Sequence, residues 1–150
     1  MQTNRHLDKL AFRFFKLFAQ YEATLKERNY FNERSGRIEP DWNRFASDVV
    51  GARFKQELGT ISESVNYILQ HSPMRQTVND DHKIIWQEVP NDDKSVQALF
   101  GHICRMRNNL FHGAKFNGTW FDPDRSKALL NHGLVILEHY KDRLDVRDVQ

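Results

Sequence analysis

The sequence has few of the residues that define several large classes of protein. It contains one cysteine, Cys104, together with 4 prolines and 7 glycines in 150 residues. A single cysteine forms no internal disulfide, so a disulfide-stabilised scaffold is excluded and a reducing compartment is expected. The low content of glycine and proline also excludes collagen-like and mucin-like chains.

Long apolar runs and a strong excess of charge are also missing. No stretch approaches the 18 or more apolar residues of a membrane span, and the N-terminal residues lead into no signal-peptide core. The formal net charge is only +2, whereas proteins that bind duplexes chiefly through phosphates carry a larger basic excess. We therefore expect a soluble, cytoplasmic protein with no membrane partner, whose single domain spans residues 1–150.

Apolar residues recur with a helical period along most of the chain. This period predicts a first helix from residue 5 to about residue 29, and the polar residues 32–37 that follow are interpreted as a loop. Pro40 suits the first turn of a second helix over residues 40–58, although Gly51 lies inside it. A shorter third helix is predicted over residues 61–69.

Residues 74–92 differ in kind from the helical segments. A turn signal, Asn79-Asp80-Asp81, precedes Ile84, Ile85 and Trp86, which favour extended structure. We interpret the segment as a long loop that can close as a small hairpin. Such a loop is either functional or a cover that places Trp86 over the core.

Two further helices complete the predicted fold. The fourth opens at Asp92, Asp93 or Ser95 and runs to about His112, and the fifth begins at Asp122-Pro123. We therefore predict an all-α, up-and-down bundle of about five helices, with a long loop or small hairpin between the third and fourth helices.

The charged end of the fourth helix interrupts its apolar pattern. With Ile103 at zero on a helical wheel, Arg107 falls at about 40°, inside the apolar arc, and His112 falls near 180° beside Arg105 and Asn108. A buried arginine is costly unless an anion or a good acceptor meets it.

Each residue of this cluster also has an ordinary structural explanation. Arg107 either pairs with an acid such as Asp48 or Glu63, or extends past the core to solvent. His112 would be a residue that favours the C-terminal end of the helix dipole. Asn108 and Asn109 would mark a frayed helix end.

The same cluster has the ingredients for cleaving RNA through its 2′-hydroxyl. The reaction needs a base for the 2′-hydroxyl proton and an acid for the departing 5′-oxygen, and histidine can do either near neutral pH. Arginine supplies a fixed cation for the phosphorane, so no metal is required. On a straight helix, however, Arg107 and His112 point roughly 140° apart. Either the helix ends before His112, or the site is shared between two chains.

The segment Arg107-Asn108-Asn109-Leu110-Phe111-His112 resembles the R-x4-6-H signature of HEPN domains (higher eukaryotes and prokaryotes nucleotide-binding), with a polar residue directly after the arginine. With Gly113, Lys115 and Phe116 included, the match is similar to small stand-alone HEPN proteins of bacterial plasmids and defence loci. Their helical architecture covers a chain of this length.

The resemblance implies a homodimer in which both signatures face one cleft. It also implies metal-independent cleavage of an RNA substrate that leaves a 2′,3′-cyclic phosphate, without a cofactor, in toxin–antitoxin or antiphage roles. By position, catalysis falls to Arg107 and His112, support to Asn108 and Asn109, and substrate binding to Lys115 and Arg105.

One departure from the family bears on its partners. Members that pair with a nucleotidyltransferase antitoxin carry a tyrosine two residues after the histidine, where this chain has Ala114. An antitoxin or regulator stays open as a partner, but the nucleotidyltransferase type is not implied. The alternative function is a non-catalytic HEPN module that binds nucleotide, RNA or a protein; Arg107 and His112 favour the nuclease, and the low basicity favours the module.

Histidine and cysteine are the side chains from which a metal site would be built. His132 and His139 share a face of the last helix, but no third ligand lies at a metal-like spacing and Cys104 has no partner, so no metal site is expected.

Four phenylalanines span more than one face of the first helix, which favours core packing plus a dimer interface. They are Phe12, Phe14, Phe15 and Phe18.

Overall fold

Helices account for most of the structure. The computed structural model describes residues 2–111 and 122–146, and these contain five α-helices and two antiparallel hairpins. The helices are α1 (Gln2–Glu27), α2 (Trp42–Phe45), α3 (Ser62–Gln70), α4 (Val96–Phe111) and α5 (Pro123–Leu144). The hairpins pair β1 (Phe31–Arg34) with β2 (Arg37–Pro40), and β3 (Arg75–Val78) with β4 (Ile84–Gln87). The mostly helical fold is confirmed, but the two hairpins make the all-α prediction wrong in its strict form.

The first hairpin replaces the predicted loop over residues 32–37. Its two turn residues, Ser35 and Gly36, have φ angles of 51° and 77°. Positive φ at both central positions is the geometry of the type I′ turn, whose twist matches that of paired strands. The strands therefore pair around this turn with Arg34 opposite Arg37. Pro40, predicted in the first turn of a helix, is the last residue of β2.

The predicted second helix over residues 40–58 is wrong in its continuity. Asp41 caps α2, because its Oδ1 accepts from the backbone N–H of Arg44 at 3.0 Å. A π-helical turn, Ala46–Val50, follows α2 and stops at Gly51, which has a φ of 93°. The chain then makes 3₁₀ turns at Phe54–Glu57 and Gly59–Ile61. Since φ is positive at Gly51, no α-helix could pass through it.

The hairpin predicted within residues 74–92 is confirmed. Asn79 shapes its turn, because its Oδ1 accepts from the backbone N–H of Asp81 at 2.9 Å and of Lys83 at 3.0 Å. Such side-chain bonds across a turn are the reason why asparagine favours these positions. Trp86, on β4, is half-buried.

Side chains cap the starts of α4 and α5. Ser95 Oγ accepts from the backbone N–H of Ala98 at 3.1 Å, so Ser95 caps α4. Asp122 Oδ1 accepts from the backbone N–H of Arg125 at 3.2 Å, and Pro123 is the first residue of α5 as predicted. The predicted end of the fourth helix at His112 lies outside the described residues.

An aromatic cluster centred on Trp42 joins α1, α2 and α4. The indole stacks on Phe18 with 4.9 Å between ring centroids, and on Phe100 with 6.1 Å. Trp42 Nε1 donates to Glu22 Oε2 at 3.3 Å, which satisfies the polar end of the ring. This satisfied contact lets a large side chain be buried without an orphaned donor.

The long helices run in two directions. The pairs Phe14 with Gly133 and Arg28 with Asp145 show that α1 and α5 lie side by side and run the same way. Helix α4 runs the opposite way, because Met106 lies against Gly133 while Phe100 packs against Tyr140. Gly133 is therefore the point where these three helices approach one another.

The four phenylalanines of α1 divide between the core and the surface. Phe14 and Phe18 are buried, whereas Phe12 is 67% exposed and Phe15 is 41% exposed. The buried pair belongs to the core, as predicted for part of the set. The exposed pair leaves two large apolar side chains on the outer side of α1.

Two glycines provide a matched test of the packing. Gly101 is exposed on α4 and a Cβ there would meet nothing within 4 Å, so Gly101→Ala should raise the free energy of unfolding by about 0.5–1 kcal/mol. A Cβ at Gly133 would lie 2.8 Å from Met106 Cε and 3.1 Å from Phe14 Cε2. Gly133→Val should therefore lower the free energy of unfolding by about 1–3 kcal/mol. Urea unfolding of both variants checks this, and a Gly133→Val protein as stable as the parent would contradict the packing.

Candidate functional site

The predicted site residues follow the core side chains of α4. Ile103, Met106 and Leu110 are buried at successive turns and set the rotation of the helix about its axis. Arg107 is half-buried, although the wheel places it inside the apolar arc, and Asn108 is exposed. The motif thus lies where the core meets the surface.

Arg107 is in contact with the next residue of the motif. Its Nη1 donates to Asn108 Oδ1 at 3.2 Å. The ion pairs found in residues 2–111 and 122–146 involve neither Asp48 nor Glu63, the two acids considered as partners of Arg107. The acceptor in this contact is the neutral amide of Asn108.

Arg105 contacts a buried histidine that sequence reasoning missed. Arg105 Nη1 lies 3.0 Å from Nδ1 of His102, and His102 is only 5% exposed. Because a guanidinium can only donate, Nδ1 accepts and the proton of the neutral ring is on Nε2. Among the described residues, the buried Nε2 has no hydrogen-bond partner. The sequence signal for this pair was the i, i+3 spacing of a histidine and an arginine.

The electrostatics around His102 favour its neutral form. Burial, and then the charges of Arg105 and Lys94, lower its pKa from 6.5 to about 4, although Asp93 acts in the opposite direction. The pKa of Arg105 is also lowered, first by burial and then by the nearby charge of Arg75. Arg105 and Lys94 are therefore the cations near the neutral ring of His102, and Arg75 lies near Arg105.

Asn109 connects the motif to the second hairpin. Its Nδ2 donates to the carbonyl oxygen of Met74 at 2.7 Å, directly before β3 begins. Asn109 and Met74 also line a small pocket with Trp86 and Arg125. The hairpin is thus positioned against the motif.

His112 and Lys115 lie outside the described residues. Helix α4 is described as far as Phe111, one residue before the histidine, and Asp122 lies at the other end of the gap. Asn109 and Asp122 both line the small pocket. The predicted divergence between Arg107 and His112 stays a prediction.

Other nucleophiles and metal ligands have structural surroundings. Burial and the charge of Glu22 raise the pKa of the Cys104 thiol to about 12, so it is protonated at neutral pH. His132 lies 2.8 Å from Ser64 Oγ and stacks on Tyr67 at 4.4 Å between ring centroids. In the described part of the chain, no three His, Cys, Asp or Glu residues are grouped to hold a metal ion.

Comparison with models of known protein families, with curated proteins and with solved structures finds no match for this chain. No helix within residues 2–111 and 122–146 combines the length and the apolar character needed to cross a membrane. Any functional argument therefore starts from the side chains themselves.

The lowered pKa of His102 predicts a pH-dependent stability. Because the folded chain binds this proton only near pH 4 and an unfolded histidine binds it near 6.5, the free energy of unfolding should fall as pH drops through this window. His102→Gln keeps an acceptor for Arg105 but cannot titrate, so it should lose this part of the pH dependence. Urea unfolding of both proteins at several pH values measures the difference. Equal slopes in parent and variant would contradict the buried, neutral histidine.

Proposed function

We propose that this protein is a metal-independent endoribonuclease of the HEPN type that works as a homodimer. The observation that carries the proposal is Arg107, half-buried on the core edge of α4 with its guanidinium held by Asn108. A guanidinium has the fork geometry that phosphate oxygens fit, so an arginine where the core meets the surface suits a phosphate. Its spacing to His112 in the sequence matches the signature.

Each residue of the signature has a defined role in this reaction. His112 serves as the base or the acid of the reaction. The base removes the 2′-hydroxyl proton as O2′ attacks phosphorus, and the acid protonates the departing 5′-oxygen. Arg107 stabilises the charge on the phosphorane. The products are a 2′,3′-cyclic phosphate and a 5′-hydroxyl. Asn108 orients Arg107 through its amide, while Lys115 and Arg105 contact neighbouring phosphates.

The divergence of Arg107 and His112 that the helical period predicts would favour a site shared by two copies of the chain. The exposed Phe12 and Phe15 offer an apolar surface for the second copy. Phe14 and Met106 both lie against Gly133, so the residues that follow them, Phe15 and Arg107, are at the same level of the bundle. In the proposed dimer the two chains meet through this side of α1, and the two Arg107 side chains face one cleft.

A second candidate function is a non-catalytic module that binds nucleotide, RNA or a protein. The net charge of +2 favours it, because a nuclease with many phosphate contacts would carry more basic residues. A small, defined RNA target reconciles the nuclease with this charge. Roles as a toxin or in antiphage defence, with an antitoxin or regulator, belong to the nuclease proposal.

Purified protein incubated with total RNA and tRNA in excess EDTA should cleave RNA and leave cyclic-phosphate ends. Arg107→Ala and His112→Ala should each lower the rate by at least about a hundredfold, because each removes a group that acts in the transition state. Electrophoresis and end-group analysis measure the cleavage, and solution mass measures the dimer.

Matched controls make the assay specific. Arg37→Ala removes an exposed arginine of β2, and His139→Ala removes an exposed histidine of α5; both should retain the parent activity. Cleavage that survives Arg107→Ala and His112→Ala in folded protein would refute the nuclease proposal. A stable monomer would refute the shared site, and a folded dimer without cleavage would leave the binding module as the function.

A further inference from the structure

A cavity of about 440 Å³ lies between the end of α3, the segment after β4 and the first turn of α5. This volume is within the range that small organic ligands occupy in proteins. Its lining is largely polar and includes His71, Ser72, Glu88, Asn91 and Arg125. None of these residues belongs to the HEPN signature.

Hydrogen bonds hold the walls of the cavity together. Ser72 Oγ donates to the carbonyl oxygen of Val89 at 3.0 Å, and Asn91 Nδ2 donates to the carbonyl oxygen of Gln70 at 2.8 Å. These two bonds tie the chain after α3 to the chain after β4. The cavity is therefore a formed feature of the fold that a ligand could enter without rearranging its walls.

Arg125 gives the cavity a cation with unused donors. Its Nη2 donates to the carbonyl oxygen of Ser72 at 2.7 Å, which fixes the guanidinium at the cavity wall. No carboxylate of the described residues lies within ion-pair distance of this guanidinium; Asp122 instead accepts from the backbone N–H of Arg125. A guanidinium has five N–H donors, so those left over can bind the oxygens of an anion.

His71 adds a flat ring to the same cavity. One face of its imidazole is covered by Tyr67, with 4.4 Å between ring centroids and 22° between the ring planes. His71 Nδ1 lies 3.2 Å from the carbonyl oxygen of Tyr67, so Nδ1 donates and the ring is held in place. A fixed, exposed ring is a platform on which a nucleobase can stack.

Arg125 borders a second pocket on the side of the motif. The same arginine lines the small pocket that contains Asn109, Met74 and Trp86. Arg125 therefore lies between Asn109, at the motif end of α4, and the larger cavity.

We propose that this cavity binds one phosphate-bearing nucleotide unit, with its phosphate on Arg125 and its base against His71. The inference rests on the proposed function to the extent that the unit is the nucleotide adjacent to the scissile phosphate. A free nucleotide presents the same chemistry as a nucleotide within an RNA strand. Glu88, also at the cavity wall, disfavours additional negative charge, which favours a singly phosphorylated unit.

The test measures binding without cleavage. The probes are a fluorescent RNA hexamer with 2′-O-methyl groups, which lacks the nucleophilic hydroxyl, and the four nucleoside 5′-monophosphates. The parent should bind the hexamer, and Arg125→Gln should weaken that binding about tenfold or more, because a charge-assisted contact is lost. His71→Ala should weaken it severalfold through loss of stacking. Arg37→Gln is the matched control, and its Kd for the hexamer should stay within about twofold of the parent value.

The outcomes distinguish an RNA strand from a free nucleotide as the ligand, and they separate this proposal from the nuclease proposal. Arg125-dependent binding of the hexamer alone identifies an RNA strand, and binding of a monophosphate as well identifies a free nucleotide; both support the site. Binding of neither probe to the parent, or binding unchanged in folded Arg125→Gln and His71→Ala proteins, would overturn it. Binding without any RNA cleavage by the parent would sink the nuclease proposal and leave this site standing.

Discussion

The burial of α4 is the constraint on which the rest of the structure depends. Along this helix one apolar face is enclosed by α1, α3 and α5, and its buried residues recur at helical spacing. Each such side chain contributes about 1.5–3 kcal/mol when it leaves water, so a rotation of the helix by one position would be costly. The directions of Arg105, Arg107 and Asn109 are therefore set by the core. The buried residues are Val96, Leu99, Phe100, Ile103, Met106 and Leu110.

The second hairpin depends on the same helix. Asn109 holds the chain at Met74, and the basic side chains of Arg105 and Arg75 are close enough to influence each other. A two-stranded hairpin has little stability by itself in water, so its contacts with α4 and with the cavity walls keep it in place. The hairpin in turn forms one side of the pocket beside the motif. Core, hairpin and candidate site are thus parts of one arrangement.

The long helices could be predicted because their apolar period extends over many turns. The position of Arg107 followed from the period only in part, since the wheel places it inside the apolar arc whereas the side chain is half-buried. The first hairpin was missed because a two-residue turn depends on positive φ at Ser35 and Gly36, for which Ser-Gly is only a weak signal. The break in the predicted second helix at Gly51 was underestimated because it too depends on a positive φ.

Contacts between distant segments could not be predicted from the sequence. Arg125 and Ser72 are 53 residues apart, and Asn109 and Met74 are 35 apart. Helical periodicity says which side of one element is buried, but it carries no information on which loop meets that side. The cavity at Arg125 therefore became visible only in the structure. The His102–Arg105 contact is local, yet the burial of His102 depends on packing between elements.

The most direct test of the central claim is the activity of a heterodimer that carries Arg107→Ala in one chain and His112→Ala in the other. The two chains would bear different affinity tags, so that the mixed dimer is isolated from both homodimers. If Arg107 of one chain acts with His112 of its partner, one of the two Arg107–His112 pairs in the shared cleft is intact, and the heterodimer should have about half of the parent activity. A heterodimer as inactive as either mutant homodimer, beside a parent that cleaves RNA, would contradict a site shared between two chains.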